Sequence, residues 1–258
     1  MSSVRRIGVI VAHELRLLRR DPLSLLVLLV FPIITTAFLK PAFRPALVQS
    51  GHPHANGAEQ VVPGQAAMSA FFLVSLVVFA FFFDHAWATW DRLRASGATS
   101  LEIVTGKALP RVAVGVAQLA LLFAAGVVVF DLRIRGDALA LVPLFLAFST
   151  CLVLLGVAVT AVCRTAQQAS AFAYLGMVLF GAIGGAFVPF NLLPGWAQTV
   201  APVTPTYWTM RGMRSVILDG RGLGGVALPI GVLLGMGVLF TLVALRRFRF
   251  DQAKVGWA

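Results

Sequence analysis

Charge is scarce in this sequence. Asp, Glu, Lys and Arg make up 12% of its 258 residues, about half the share found in soluble domains. A soluble chain of this length still needs a charged surface around its core, so the soluble class is excluded. Cysteine is scarcer: Cys151 and Cys163 fall in one apolar segment, which excludes a disulfide framework. No G-x-x-x-x-G-K-[ST] phosphate loop occurs. The one Gly-Lys pair, Gly106-Lys107, has no glycine five residues before it, so any nucleotide energy has to come from another chain. A cleavable signal peptide is not evident either, because the first apolar block starts only near Leu23, after a long basic region.

What the sequence does have is long apolar blocks. They cover 23–39 (interrupted by Pro32), 66–83, 112–130, 138–162 (Pro143 near its start), 169–188 and 226–245. Each approaches the ~20 residues that cross a hydrocarbon core as a helix. Backbone polar groups in lipid must be satisfied within a segment, so the blocks are expected to be helices. The expected fold is an all-α integral membrane protein with six transmembrane helices, one domain over 1–258. Basic residues are about twice as frequent in the N-terminus, the 84–111 connection, Arg164 and the C-terminal tail as in the alternate loops. The positive-inside rule then places both termini in the cytoplasm. The formal charge of +11 is read as this topogenic signal and as contact with anionic headgroups, not as a nucleic-acid footprint. Ahead of the first block, Ile7, Ile10, Val11, Leu15 and Leu18 alternate with arginines. That pattern predicts an interfacial N-terminal helix.

Two segments outside the spans are informative. From 165 to 210 there is no charged residue, and Pro189, Pro194, Pro202 and Pro205 forbid one continuous helix. A chargeless, broken stretch with Trp196, Tyr207 and Trp208 predicts a re-entrant helical hairpin over 189–215, packed at the outer face before the last span. The 84–111 connection is polar and helix-compatible in two short pieces, with Ser100 a candidate cap for the second. A short helix held there is suited to receiving force from a cytoplasmic partner.

Catalysis or ion coupling within the membrane needs clustered ionisable groups, and the six blocks contain none. Thr35, Thr36, Gln118, Ser149, Thr150 and Thr160 are read as interhelical or back-bonding polar groups. The aromatics of the second and fifth spans are read as packing or lipid-facing side chains. His52 and His54 lack further ligands for a metal site. A lipid-modifying enzyme would have to use Asp84, His85 and Asp91, which share no evident face. A non-transporting membrane assembly protein is the other alternative.

The connection DHAWATWDRLRASGATSLEIVTGKALP and the outer segment LLPGWAQTVAPVTPTYWTMRG together resemble the ABC-2 type transporter permeases, most closely the daunorubicin-resistance-like branch. In the first, Thr89, Asp91, Arg92, Leu93, Arg94, Glu102, Ile103, Gly106, Lys107 and Leu109 match the family pattern; in the second, Leu193, Pro194, Trp196, Pro202, Pro205, Tyr207 and Arg211 do. Ala88, Gly97 and the run His85-Ala86-Trp87 depart from it. The resemblance spans essentially the whole chain. It implies ATP-driven export of an amphipathic, drug-like or lipid-like substrate across the cytoplasmic membrane. A separate nucleotide-binding ATPase would bind ATP and Mg and seat on Thr89, Asp91, Arg92, Leu93, Arg94, Glu102 and Lys107, while this chain binds no cofactor and no metal. The family also implies a second permease copy, as a homodimer or heterodimer, with the route between the two lined by the first, second and fifth spans. Catalytic residues are not expected, and the substrate-binding residues are unknown.

Overall fold

The computed structural model of the chain describes residues 3–20, 22–49, 51–86 and 97–247. Ten α-helices are described: α1 (Ser3–Arg20), α2 (Pro22–Gln49), α3 (Ala58–Ala70), α4 (Phe72–Ala86), α5 (Ser100–Phe130), α6 (Leu141–Val162), α7 (Ala166–Ile183), α8 (Gly195–Val200), α9 (Pro205–Ile217) and α10 (Leu223–Arg247). Six stretches are long and apolar enough to cross a membrane: α2, α3 with α4, α5, α6 with the short turn before it, α7 and α10. The protein is therefore an all-α, multi-pass membrane protein. Six crossings bring α1 and the end of α10 to one end of the bundle, called here the terminal end.

α6 is the hub. It packs against α4, α5, α9 and α10, and buries Leu144, Phe148 and Leu152 completely. Phe71, at the break between α3 and α4, stacks edge-on to Phe148 at 6.4 Å and tilts against Phe180 at 6.0 Å. The aromatics of the two spans divide accordingly. Phe71, Phe81 and Phe82 are core, whereas Phe172, Tyr174 and Phe187 are exposed on α7 and the turn after it.

Polar groups inside the bundle answer backbone faults. Pro32 lies inside α2 and has no N–H, so the Leu28 carbonyl four residues back loses its helical donor. Gln118 of α5 turns its side-chain amide to that carbonyl at 3.5 Å, the long limit for a hydrogen bond. The hydroxyls of Thr35, Thr36 and Thr160 bond back to their own helices, as expected. At the far end, Lys40 of α2 donates to the Phe130 carbonyl at 2.6 Å, placing a cation on the C-terminus of α5. Asn56 donates to the carbonyls of Phe130 and Asp131 there. Gly57 precedes α3 with φ +101°, and a side chain at this position would overlap the Lys40 carbonyl; only glycine fits that backbone and that approach.

Two elements depart from the sequence reading. The second span starts at Ala58, ahead of 66, so Glu59 and Gln60 are buried within a spanning helix. Glu59 is accommodated because its carboxylate accepts the N–H groups of Asn56 and Gly57 at 3.0 and 3.2 Å, capping the helix it begins. The second departure is that 100–111 is no separate loop helix. It is the start of α5, which runs unbroken to Phe130. Thr99, not Ser100, caps it. The Thr99 hydroxyl accepts from the Glu102 N–H, and the Glu102 carboxylate accepts from the Thr99 N–H, a reciprocal capping box.

Candidate functional site

α5 has 31 residues. At 1.5 Å rise that is ~46 Å, well beyond a ~30 Å hydrocarbon core. Its first turns therefore overhang the membrane at the terminal end, and α1 packs along that overhang.

The two helices run in parallel register with contacts every turn. Arg6 donates to the Gly97 carbonyl at 2.6 Å and pairs with Glu102 at 3.4 Å. One turn on, Ile10 lies over Gly106 so closely that a Cβ there would sit 2.7 Å from the isoleucine Cγ2. One turn further, Glu14 meets two cations. Its Oε1 takes a bond from the Lys107 ammonium at 2.6 Å and its Oε2 one from the Arg111 guanidinium at 2.9 Å. All three side chains are buried. Arg111 also donates to the Lys107 carbonyl at 2.5 Å and to the Leu76 carbonyl of α4 at 3.2 Å. One guanidinium thus holds α1, α5 and the second span together.

Burial alone would raise the Glu14 pKa, but the charges of Arg111 and Lys107 and their hydrogen bonds outweigh it and hold the carboxyl below its ordinary range. α1 leaves Val4, Val9, Leu15 and Leu17 exposed, spread around the helix and not gathered on one face, while Ile10 of its apolar side is buried against α5.

Of the residues that sequence assigned to partner coupling, Thr89, Asp91, Arg92, Leu93 and Arg94 lie outside the described residues, as do the side chains of Asp84 and His85. Glu102 and Lys107 are placed, and both are buried against α1. The Glu-Ile-x-x-Gly-Lys run is thus one helix face: Glu102 for the cap and Arg6, Ile103 for the core, Gly106 for close approach, Lys107 for Glu14. Sequence reasoning missed Glu14 and the role of Arg111. The signal was present: an acid inside an amphipathic helix, four residues after Ile10, stands on the same face as that apolar side chain.

The outer-segment residues are also placed. Pro194 stands just before α8 without capping it through its side chain, Trp196 is exposed on that helix, and Pro205 is the first residue of α9, behind the capping Thr204. The Pro202 carbonyl accepts the Trp208 indole N–H at 2.8 Å, and the Arg211 guanidinium lies 5.4 Å from that ring's centre. α9 packs against α3, α6 and α10, so the hairpin is built into the bundle.

A six-span helical bundle with a buried ionic bolt between its first helix and its third span, and a proline-broken segment before the last span, is a multi-pass all-α membrane protein. A sequence profile of the ABC-2 type transporter matches residues 5–218, and the chain belongs to that family. It is similar to the linearmycin resistance permease protein LnrN of Bacillus subtilis (strain 168), with 25% identity over 160 residues, 62% of this chain and 41% of that protein. It is also similar to the probable multidrug ABC transporter permease YbhR of Escherichia coli (strain K12), with 26% identity over 117 residues, 45% of this chain and 32% of that one. The matched regions thus span less than half the length of either relative.

Proposed function

We propose that the chain is the membrane-spanning subunit of an ATP-driven exporter of the cytoplasmic membrane, with both termini in the cytoplasm. A separate ATPase chain docks on the 84–111 connection, and a second permease copy completes the route. The substrate class is an amphipathic, drug-like or lipid-like molecule, in keeping with the resistance and multidrug names of the relatives. The observation that carries this reading is the Glu14–Lys107–Arg111 cluster. A push delivered just before Gly97 enters α5 at its capped end. It passes through Arg111 to the Leu76 carbonyl in the second span and through Glu14 to α1. Force at the membrane surface therefore reaches two spans and the interfacial helix as one body.

On this reading the seven coupling residues divide. Thr89, Asp91, Arg92, Leu93 and Arg94 face the ATPase, and Glu102 and Lys107 transmit within the chain. Co-expression with the partner ATPase should give a complex. Combined reversal by Asp91→Arg and Arg92→Glu should leave the permease folded while uncoupling ATP hydrolysis from export. Unchanged export in that double variant would sink the docking assignment.

A further inference from the structure

At the end of the bundle opposite the termini, a cleft of ≈ 240 Å³ opens between α3 and α9. On the α9 side, Tyr207, Met210, Arg211 and Arg214 follow one another at helical spacing on a single face; on the α3 side stand Glu59 and Gln60, with Phe190 beside them. Its floor is fixed. Gln60, buried, donates to the Gly185 carbonyl at 2.9 Å and pins the turn that follows α7. One oxygen of the lining carboxylate, Glu59 Oε2, accepts two backbone N–H groups at the head of α3.

The two guanidiniums are not committed in this way. Among the described residues neither Arg211 nor Arg214 has a carboxylate within ion-pair distance. Arg211 is exposed and lies over the Trp208 ring, and Arg214 is half buried. Two cations one turn apart outnumber the one acid of the cleft, Glu59, and call for an anion with several acceptor oxygens. Beside them Phe190 tilts against Tyr207 at 5.0 Å, and Tyr207 meets Trp208 edge-on at 5.2 Å, forming an aromatic wall. Leu192, Trp196, Val200 and Val203 of the adjoining hairpin are exposed. Aromatic and exposed apolar side chains next to free cations describe the headgroup level of a bilayer.

We propose that this cleft binds the phosphate group of an amphiphile at the membrane surface, with Arg211 and Arg214 taking the phosphate oxygens and the aromatic wall taking the first part of the tail. The site does not rest on the transport reading, and its test needs no ATPase. Delipidated full-length protein in a non-ionic detergent is titrated with phosphatidylglycerol, with a diacylglycerol of the same chains, and with inorganic phosphate. Bound lipid is counted by native mass spectrometry. Phosphatidylglycerol should bind saturably, the diacylglycerol should not, and Arg211→Gln with Arg214→Gln should weaken phosphatidylglycerol binding about tenfold or more. The variants Arg211→Lys and Arg214→Lys should recover part of it. If the double variant does not fold, the exposed Arg211→Gln alone should still give a severalfold loss. Equal binding of the diacylglycerol, no loss on removing the guanidiniums, or binding of inorganic phosphate without the lipid would each overturn the proposal.

Discussion

Glu14 is the residue on which the terminal end turns. A carboxylate buried with a lysine and an arginine is costly to desolvate, and such a cluster adds little stability compared with an apolar one. Breaking it is another matter. Glu14→Gln leaves Lys107 and Arg111 buried without their anion, and should cost about 3 kcal/mol or more. A lowered thermal midpoint of the purified protein, with protease cutting inside α1, would register it. Glu14→Asp keeps the charge and should lose less. The pH dependence has a definite sign. The carboxyl titrates lower in the folded protein than its ordinary value of 4.5. Its stabilisation is thus complete above that value and is lost as pH falls through the lower folded value. Wild type should hold α1 docked from neutrality to mildly acidic pH and release it only in stronger acid. Glu14→Gln should remove that acid limb of the melting curve.

At the scale of elements, the pairing of α1 with the head of α5 depends on a glycine. Ile10 occupies the space where any Gly106 side chain would stand. Gly106→Leu should therefore lever α1 away while leaving the spans intact. The expected result is faster hydrogen exchange across 3–20 and a lowered thermal midpoint, because levering α1 away also takes Glu14 from Lys107 and Arg111, with export impaired. Unchanged exchange in α1 would show that the contact is not required.

This pairing also marks how far the sequence could be read. The spans, the interfacial helix and the proline-broken hairpin follow from hydropathy and proline spacing, because lipid forces each segment to satisfy its own backbone. The overhang of α5 does not. Residues 100–111 carry Glu102, Lys107 and Arg111, and hydropathy assigns such charges to a loop. Only packing against α1 reveals that they point inward to one another. Glu59 was hidden for the same reason: two residues after a glycine in the left-handed region, it reads as loop chemistry until the cap is seen. Gln118 was legible as an interhelical group, but its target, a carbonyl orphaned by Pro32 on another helix, depends on register that no single segment encodes.

The whole molecule poses the question of sidedness. α5 is too long for the bilayer and has to overhang at one end, and the overhang lies at the end where α1 binds. That end carries Arg6, Arg16 and Arg20 on α1 and Arg246 and Arg247 on α10. The opposite end carries Lys40, Arg44, Arg133, Arg135, Arg211, Arg214 and Arg221, of which Lys40 sits on a helix terminus and Arg133 pairs with Asp131. In the whole sequence the segments on the side of the termini hold fourteen Lys and Arg against seven on the other, and it is on this imbalance that the proposed cytoplasmic orientation of the overhang rests. Cys151 and Cys163 are both buried, so serine replacements there give a silent background for labelling. In that background, Leu101→Cys, exposed on the overhang, and His54→Cys, exposed between α2 and α3, report opposite ends. A membrane-impermeant maleimide added to intact cells should label His54→Cys and spare Leu101→Cys until the membrane is opened. The reverse pattern would place the overhang outside, where no ATPase could reach it. Coupling through α5 would then fail along with the orientation, while the phosphate cleft, defined by its own cations, would stand on the inner leaflet instead.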